Sequence, residues 1–199
     1  MTIERRAVSA PPELRASDDG HKIAAGYAAL FNSEANIGGW FREVIAPGAF
    51  GETLKDSDVL ALIDHDTGRV IGRSTAGTLR LTEDDKGLAM EIDLPDTTDG
   101  RDLAVSLERG DITGMSFGFV VSHDEWDETI DPPLRTIHKI ELHEVSAVAL
   151  PAYGDTEIAL RSLQQARAQA ETERAVRSEI SRQSYLARKA MQEQRFRQI

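Results

Sequence analysis

The 199-residue sequence contains no cysteine. Disulfides, thiolate metal sites and a cysteine nucleophile are therefore excluded, and the composition suits a reducing compartment. No apolar run approaches the roughly 20 residues that cross a bilayer. The first residues, MTIERRAVSAPPEL, contain no hydrophobic stretch of the kind found in signal peptides. We therefore expect neither a membrane partner nor secretion.

Histidines are also few, and their spacing does not indicate a metal site. The five are His21, His65, His123, His138 and His143. None of them forms the H-x-x-x-H pair that places two imidazoles on one face of a helix. We therefore expect no metal and no other cofactor.

Positive charge is scarce outside the C-terminal segment. The net charge is −11, but residues 161–199 hold nine basic and four acidic residues, and residues 1–160 hold 14 basic and 30 acidic ones. An acidic body repels phosphates, so we expect no nucleic-acid partner. The basic segment is either a solvated, charged helix or an element with a task of its own.

The hydrophobic pattern of the first 151 residues is mostly that of strands. Predicted strands occupy residues 21–32, 39–47 (ending at Pro47), 59–66, 69–74, 77–95 (a hairpin), 112–126 and 137–151. A three-turn helix is predicted over 97–111 and a short one after Pro47, and the proline-rich segment 125–136 is predicted as a loop. A body that is mainly β with few helices favours a closed or nearly closed antiparallel barrel over a doubly wound sheet.

The chain changes character near its C-terminal fifth. No glycine or proline follows Gly154, and Gln, Arg, Ala and Glu dominate. We therefore predict a body over residues 1–158 and a charged, mostly helical tail over residues 159–199.

A single hydroxyl interrupts the strand-like segment GMSFGF at residues 114–119. Strand alternation places Met115, Phe117 and Phe119 on one face and Ser116 on the other, between two glycines. Ser116 is a filler of a less buried face, a structural hydroxyl or a nucleophile. As a nucleophile it would profit from the glycines, which clear space for a substrate backbone.

A serine nucleophile needs a base, usually histidine, and the base needs an orienting acceptor. Several polar residues lie in or directly after strand-like segments and are of suitable type: Asp64, His65, Asp66, Ser116, His143, Glu144 and Ser146. Because triads assemble in space, their distance along the chain is no obstacle. The residue types are compatible with a serine hydrolase, but they do not select one triad.

The order of several motifs resembles the prohead proteases of tailed bacteriophages. The segments that carry the resemblance lie between about residues 20 and 160 and are GYAALFN, VIAPGAF, LIDHD, GTLRLTEDDKGLAMEIDLP, GDITGMSFGF and HEVSAVALPAYGDT. This family, the caudovirus prohead serine proteases, is similar in fold to the herpesvirus assemblins. The resemblance implies an assemblin-like β-barrel.

The resemblance also implies roles for three residues. Ser116 matches the family's nucleophile, His65 its histidine base, and Glu144 the third member of the triad. His143 is the alternative third member, because assemblin-like enzymes use a second histidine there. Strand alternation predicts opposite faces for His143 and Glu144, so that only one of them reaches His65, and we favour Glu144.

The function implied by the resemblance is that of a serine endopeptidase of particle maturation. Such proteases trim the major capsid protein precursor with its scaffold segment, and themselves, inside the assembling procapsid in the bacterial cytoplasm. Self-association is expected from the assemblin relatives. Two alternatives are a non-catalytic assembly or scaffolding factor and an unrelated β-barrel binding module with Ser116 in its core. Phage, prophage and gene transfer agent are all compatible origins.

Overall fold

A computed structural model describes residues 3–17, 20–151 and 156–196 of the chain. The strands in these residues are β1 Glu4–Val8, β2 Glu13–Ala16, β3 Lys22–Leu30, β4 Ala35–Ile37, β5 Phe41–Ile45, β6 Leu60–Ile63, β7 Asp66–Arg73, β8 Leu79–Glu83, β9 Gly87–Asp93, β10 Gly114–Asp127 and β11 Leu134–Val148. The helices are α1 Thr53–Asp56, α2 Thr98–Arg109 and α3 Thr156–Phe196.

The strands form two sheets. The larger sheet has seven strands in the order β1-β10-β11-β5-β4, and β6 also pairs with β11 and carries β7. The smaller sheet has four strands in the order β2-β3-β9-β8. Strand β11 is long enough, at 15 residues, to pair with β10 on one side and with both β5 and β6 on the other.

The prediction of a mainly β fold with a few helices is confirmed, but that of a closed antiparallel barrel is not. Within the described residues neither sheet closes on itself. Strands β5 and β6 both run parallel to β11, so the larger sheet is mixed and the antiparallel prediction was wrong. Local hydrophobic patterns show where strands lie, but they do not show the direction in which distant strands pair.

The apolar core contains residues from both sheets. Met115, Phe117 and Phe119 of β10 belong to it, as the alternation in GMSFGF predicts. The rings of Phe117 and Phe119 stack with centroids 5.0 Å apart, and Phe50 meets Phe117 edge-on. The nucleophile candidate therefore lies on a strand whose other face is anchored in the core.

Helix α2 begins and ends where its sequence signals indicate. The Thr97 side chain accepts a hydrogen bond from the backbone N–H of Gly100, and Gly110 ends the helix in the left-handed conformation with φ of 77°. These are the N-cap and the C-terminal glycine expected of such a segment.

The predicted loop over residues 125–136 is much shorter in the structure. Strand β10 continues to Asp127, which pairs with Leu134, and leaves only residues 128–133 as the loop. Two neighbours explain the extension: Trp126 packs edge-on against Phe41, and Arg135 is buried among acidic side chains. Tertiary contacts therefore outweigh the polar composition of the segment.

The chain divides into two compact units, Met1–Ala159 and Leu160–Ile199. Helix α3 is 41 residues long, and Val176, Ile180 and Tyr185 on it are exposed. No helix among the described residues combines the length and the apolar composition that a membrane crossing requires.

Candidate active site

His65 lies in the tight turn of the hairpin formed by β6 and β7. Both central residues of the turn have positive φ, 49° at Asp64 and 61° at His65. Such turns favour Asn-Gly, because a side chain costs about 1–2 kcal/mol per residue in the left-handed conformation. Aspartate and histidine are among the non-glycine residues that tolerate it best.

Backbone pairing fixes this turn beside the C-terminal half of β11. Strand β6 runs parallel to β11, with Ile63 opposite Ala147. Beyond the ladder, the N–H of Asp64 donates to the carbonyl of Ala147 at 3.0 Å, and the N–H of Ala149 donates to the carboxylate of Asp64 at 3.3 Å. These bonds bring the imidazole to the strand that carries Glu144.

The structure brings His65 and Glu144 into direct contact. Nδ1 of His65 lies 2.7 Å from Oε1 of Glu144, and the two side chains are 17% and 12% exposed. An ionised carboxylate only accepts hydrogen bonds, so in the neutral imidazole Nδ1 carries the proton and Nε2 is the acceptor. The imidazole is therefore in the tautomer that a general base requires.

Ser146, which the sequence marked only as a residue of suitable type, connects the two members of this pair. Its hydroxyl donates to Oε2 of Glu144 at 2.6 Å and accepts the backbone N–H of His65 at 3.2 Å. Ser146 is fully buried. The sequence signal was its position two residues after Glu144, on the same side of a strand.

The glycines beside Ser116 make room for the chain's own groups. A Cβ atom on Gly118 would lie 2.4 Å from Oε1 of Glu144, and one on Gly114 would lie 2.3 Å from the carbonyl oxygen of Val8. The expectation that they clear space for a substrate backbone was therefore wrong. Gly118 is needed because the carboxylate of Glu144 lies over its α-carbon.

Ser116 lies one strand away from the His65–Glu144 pair. It is directly opposite Ser146 in the β10–β11 ladder. Its hydroxyl donates to the backbone carbonyl of Arg6 on the edge strand β1 at 2.8 Å, and the residue is 2% exposed. It makes no hydrogen bond with His65, so the structure assembles the base and its partner but leaves the hydroxyl turned toward β1.

A β-bulge changes the reasoning about His143. The ladder pairs Gly118 with Glu144 and Phe119 with Leu142, so His143 has no partner on β10. Leu142 and Val145 are both buried in the core, which breaks the strict alternation between them. The prediction of opposite faces for His143 and Glu144 therefore does not hold. Nε2 of His143 nevertheless lies near Glu141, at 3.9 Å, and not at His65.

A second polar group, which we call the buried ion cluster, was missed by sequence reasoning. Its members come from four strands of the larger sheet and are Glu4, Arg6, Glu43, Arg135 and Asp124. Arg6 bonds to Glu43 at 2.6 Å, and Arg135 bonds to Glu4 at 2.9 Å. Charged residues are expected on surfaces, so hydrophobic periodicity cannot detect them in an interior.

Electrostatics stabilises the charged forms in the buried ion cluster. Burial alone would raise the pKa of Glu4, but Arg135 and Arg6 outweigh burial and hold this pKa below its ordinary value of 4.5. Burial alone would lower the pKa of Arg6, but the carboxylates of Glu43 and Glu4 raise it. The cluster is therefore a set of paired charges at neutral pH.

Among the described residues, no three His, Asp or Glu side chains are grouped so as to hold a metal ion. The side chains at the candidate site supply an imidazole oriented by a carboxylate and a nearby buried hydroxyl.

Comparison with known proteins identifies the class of protein to which this fold and site belong. The caudovirus prohead serine protease family model matches residues 10–171. The match covers most of the chain, so the protein belongs to this family.

One relative and one solved structure are informative. The prohead protease of enterobacteria phage HK97 is 33% identical over 146 residues, which are 70% of this chain and 60% of the relative. The chain thus spans less than two thirds of that relative's length. The capsid assembly protease of bacteriophage T4 superposes with a TM-score of 0.54 at 12% identity, covering 74% of this chain and 96% of the other. At that identity the likeness concerns the fold.

Proposed function

We propose that this protein is a serine endopeptidase with Ser116 as nucleophile, His65 as general base and Glu144 as the residue that orients the base. The observation that carries the proposal is the 2.7 Å contact between Nδ1 of His65 and Glu144, which leaves Nε2 as an acceptor. The serine lies on the strand next to that of Glu144. Membership in a serine protease family supports the same assignment.

The proposed reaction follows from these positions. The Ser116 hydroxyl turns from Arg6 to Nε2 of His65 and attacks the carbonyl carbon of the scissile peptide, while its proton passes to the imidazole. Glu144 stabilises the imidazolium that forms. The imidazolium then protonates the leaving amine, and water, deprotonated by His65, releases the acyl group from Ser116.

The substrates we propose are capsid and scaffold precursors, and the protease itself, inside an assembling procapsid in a bacterial cell. The relatives' names support this, since one is a prohead protease and the other a capsid assembly protease. Self-association stays a prediction, as does the absence of nucleic-acid and membrane partners.

Co-expression with a major capsid protein precursor of the same particle tests the proposed function. We expect wild type to shorten the precursor to products of defined mass, and Ser116→Ala to leave it intact. Ser122→Ala, at an exposed serine on the same strand, is the matched control and should cleave normally. Normal cleavage by Ser116→Ala would rule out the proposed nucleophile.

A second candidate function is that of a non-catalytic assembly factor with a protease fold. The burial of Ser116 and its bond to Arg6 favour it, because this hydroxyl is not yet at the base. The same co-expression decides between the two functions. If neither His65→Ala nor Ser116→Ala changes the precursor's mass pattern, the assembly factor is the better description.

We further propose that the protease body spans residues 1–158 and that the tail, residues 159–199, brings the enzyme into the assembling particle or is its self-cleavage region. The division of the chain near Ala159 and the exposed apolar residues of α3 support a separate role for the tail. Removal of the tail should leave peptidase activity within about twofold but abolish incorporation into particles. Equal incorporation of the truncated and full-length chains, measured by quantitative blotting of purified procapsids, would contradict this role.

A further inference from the structure

We propose that Ser146 is a positioning residue that holds Glu144 and the backbone of His65 in the arrangement needed for base catalysis. The inference rests on the proposed function, and it deepens it by naming a fourth member of the site. The hydrogen bonds of Ser146 go to Glu144 and His65, whereas the Ser116 hydroxyl bonds to Arg6. Its effect on catalysis passes through Glu144 and His65.

The hydroxyl of Ser146 uses both its donor and its acceptor capacity on the two proposed catalytic residues. It donates to one oxygen of Glu144 at 2.6 Å, while the other oxygen of the same carboxylate receives Nδ1–H of His65 at 2.7 Å. A hydrogen bond to a charged group contributes about 1.5–3 kcal/mol. Ser146 therefore fixes the rotation of the carboxylate that orients the imidazole.

The acceptor side of Ser146 supports the backbone of the base. His65 has a φ of 61°, a conformation that L-residues rarely adopt, and its N–H donates to no carbonyl of the described residues. Ser146 accepts this N–H at 3.2 Å. Without that hydroxyl, a partly buried donor would lose its partner in a turn that is already strained.

The residues around the carboxylate of Glu144 restrict it to one position. It lies over the α-carbon of Gly118, where a Cβ atom would approach it to 2.4 Å. Ser146 itself is fully buried, so water does not replace its hydroxyl. The carboxylate is held from three sides, by His65, by Ser146 and by the bare backbone of Gly118.

The test measures the rate at which a fluorophosphonate probe modifies Ser116. In this reaction Oγ of Ser116 bonds to phosphorus, fluoride leaves, and the serine proton passes to His65. We expect Ser146→Ala to slow modification about 10- to 100-fold, the rate equivalent of one hydrogen bond to a charged group. In a Glu144→Ala background the same substitution should change the rate less than about twofold, because the residue through which it acts is gone.

Ser74→Ala is the matched control. The Ser74 hydroxyl also accepts a backbone N–H, from Val59 at 2.8 Å, and donates to an oxygen, of Ser57 at 3.1 Å, but away from the site. It should lower the thermal midpoint and leave the modification rate unchanged. Equal rate losses in Ser146→Ala and Ser74→Ala, or additive losses of Ser146→Ala and Glu144→Ala, would overturn the proposal.

Proton NMR gives a readout that does not depend on peptidase activity. The His65 Nδ1–H in its bond to Glu144 should appear as a downfield resonance in wild type and Ser74→Ala, and should be lost in Glu144→Ala. In Ser146→Ala we expect it to broaden or disappear, and an unchanged resonance would refute the positioning role. If wild type is not modified at Ser116 but the resonance still depends on Ser146, the proposed function fails and the positioning role stands.

Stability of the variant needs its own check. If Ser146→Ala does not fold, Ser146→Cys has nearly the same shape with much weaker hydrogen bonds. It should fold and show the same loss of rate and of the downfield resonance. Wild-type values in a folded Ser146→Cys would count against the proposal.

Discussion

Two groups of interacting polar side chains lie on the larger sheet, and they differ in their exposure and in how completely their members are paired. In the buried ion cluster the side chains of Glu4, Arg6, Glu43 and Arg135 are 2–7% exposed, and each charge has an opposite charge beside it. At the candidate active site, His65 and Glu144 remain partly exposed, and Nε2 of His65 has no hydrogen-bond partner among the described residues.

The two groups also lie on opposite faces of the β1–β10 ladder. Ser116 pairs with Ala7, whereas Arg6 pairs with Phe117, and neighbouring residues on a strand point to opposite sides. The comparison separates two uses of buried polarity. Complete pairing joins β1 to β5 and β11 through buried charges. Incomplete pairing at a partly exposed imidazole leaves an acceptor that can take a proton.

The largest effect we expect is on stability, from breaking the buried ion cluster. Arg135→Ala leaves Glu4 and Glu43 with one cation fewer in an interior, and removing one partner of a buried pair costs about 3–5 kcal/mol. Arg80→Ala, at an exposed arginine paired with Glu91, should cost less than about 1 kcal/mol. Urea unfolding of both variants measures the loss of unfolding free energy. Similar losses in the two variants would contradict the claim that buried charges contribute more than exposed ones.

An intermediate effect is expected on catalysis. Gly118→Ala introduces a Cβ that displaces the Glu144 carboxylate from its bonds to His65 and Ser146. We expect the rate of Ser116 modification to fall about 10- to 100-fold, since an oriented hydrogen bond to a charge is lost. Gly26→Ala, in a strand of the smaller sheet, is the control. A wild-type rate in Gly118→Ala would show that the carboxylate position is not critical.

The smallest effect concerns the acid stability of the buried ion cluster. Because the folded pKa of Glu4 is lowered from 4.5, its stabilising contribution is present above that pH and is lost as the pH falls through the folded pKa. The stability difference between wild type and Glu4→Gln should therefore shrink between about pH 6 and pH 3. For Glu13→Gln, at an exposed pair with Arg15, the stability difference from wild type should change little with pH. A constant difference for Glu4→Gln would contradict the lowered pKa.

The sequence predicted those parts of the molecule in which local pattern and tertiary environment agree. The core face of β10 and the caps of α2 were predicted because alternation, an N-cap threonine and a C-terminal glycine act within a few residues. Strand β1 escaped prediction because two of its buried residues, Glu4 and Arg6, are charged.

The candidate site was predictable in its residue types but not in its connections. Family resemblance nominated His65, Ser116 and Glu144, and the structure joins only His65 and Glu144. The bulge at His143 and the two hydrogen bonds of the Ser146 hydroxyl depend on the register between strands that are distant along the chain. No local pattern encodes that register.

The most direct test of the central claim is to map fluorophosphonate adducts by peptide mass spectrometry. If the His65–Glu144 pair activates the neighbouring hydroxyl, wild type should carry a single adduct on Ser116, and His65→Ala and Ser116→Ala should carry none. No adduct in wild type, or an adduct on Ser146 in place of Ser116, would contradict the account.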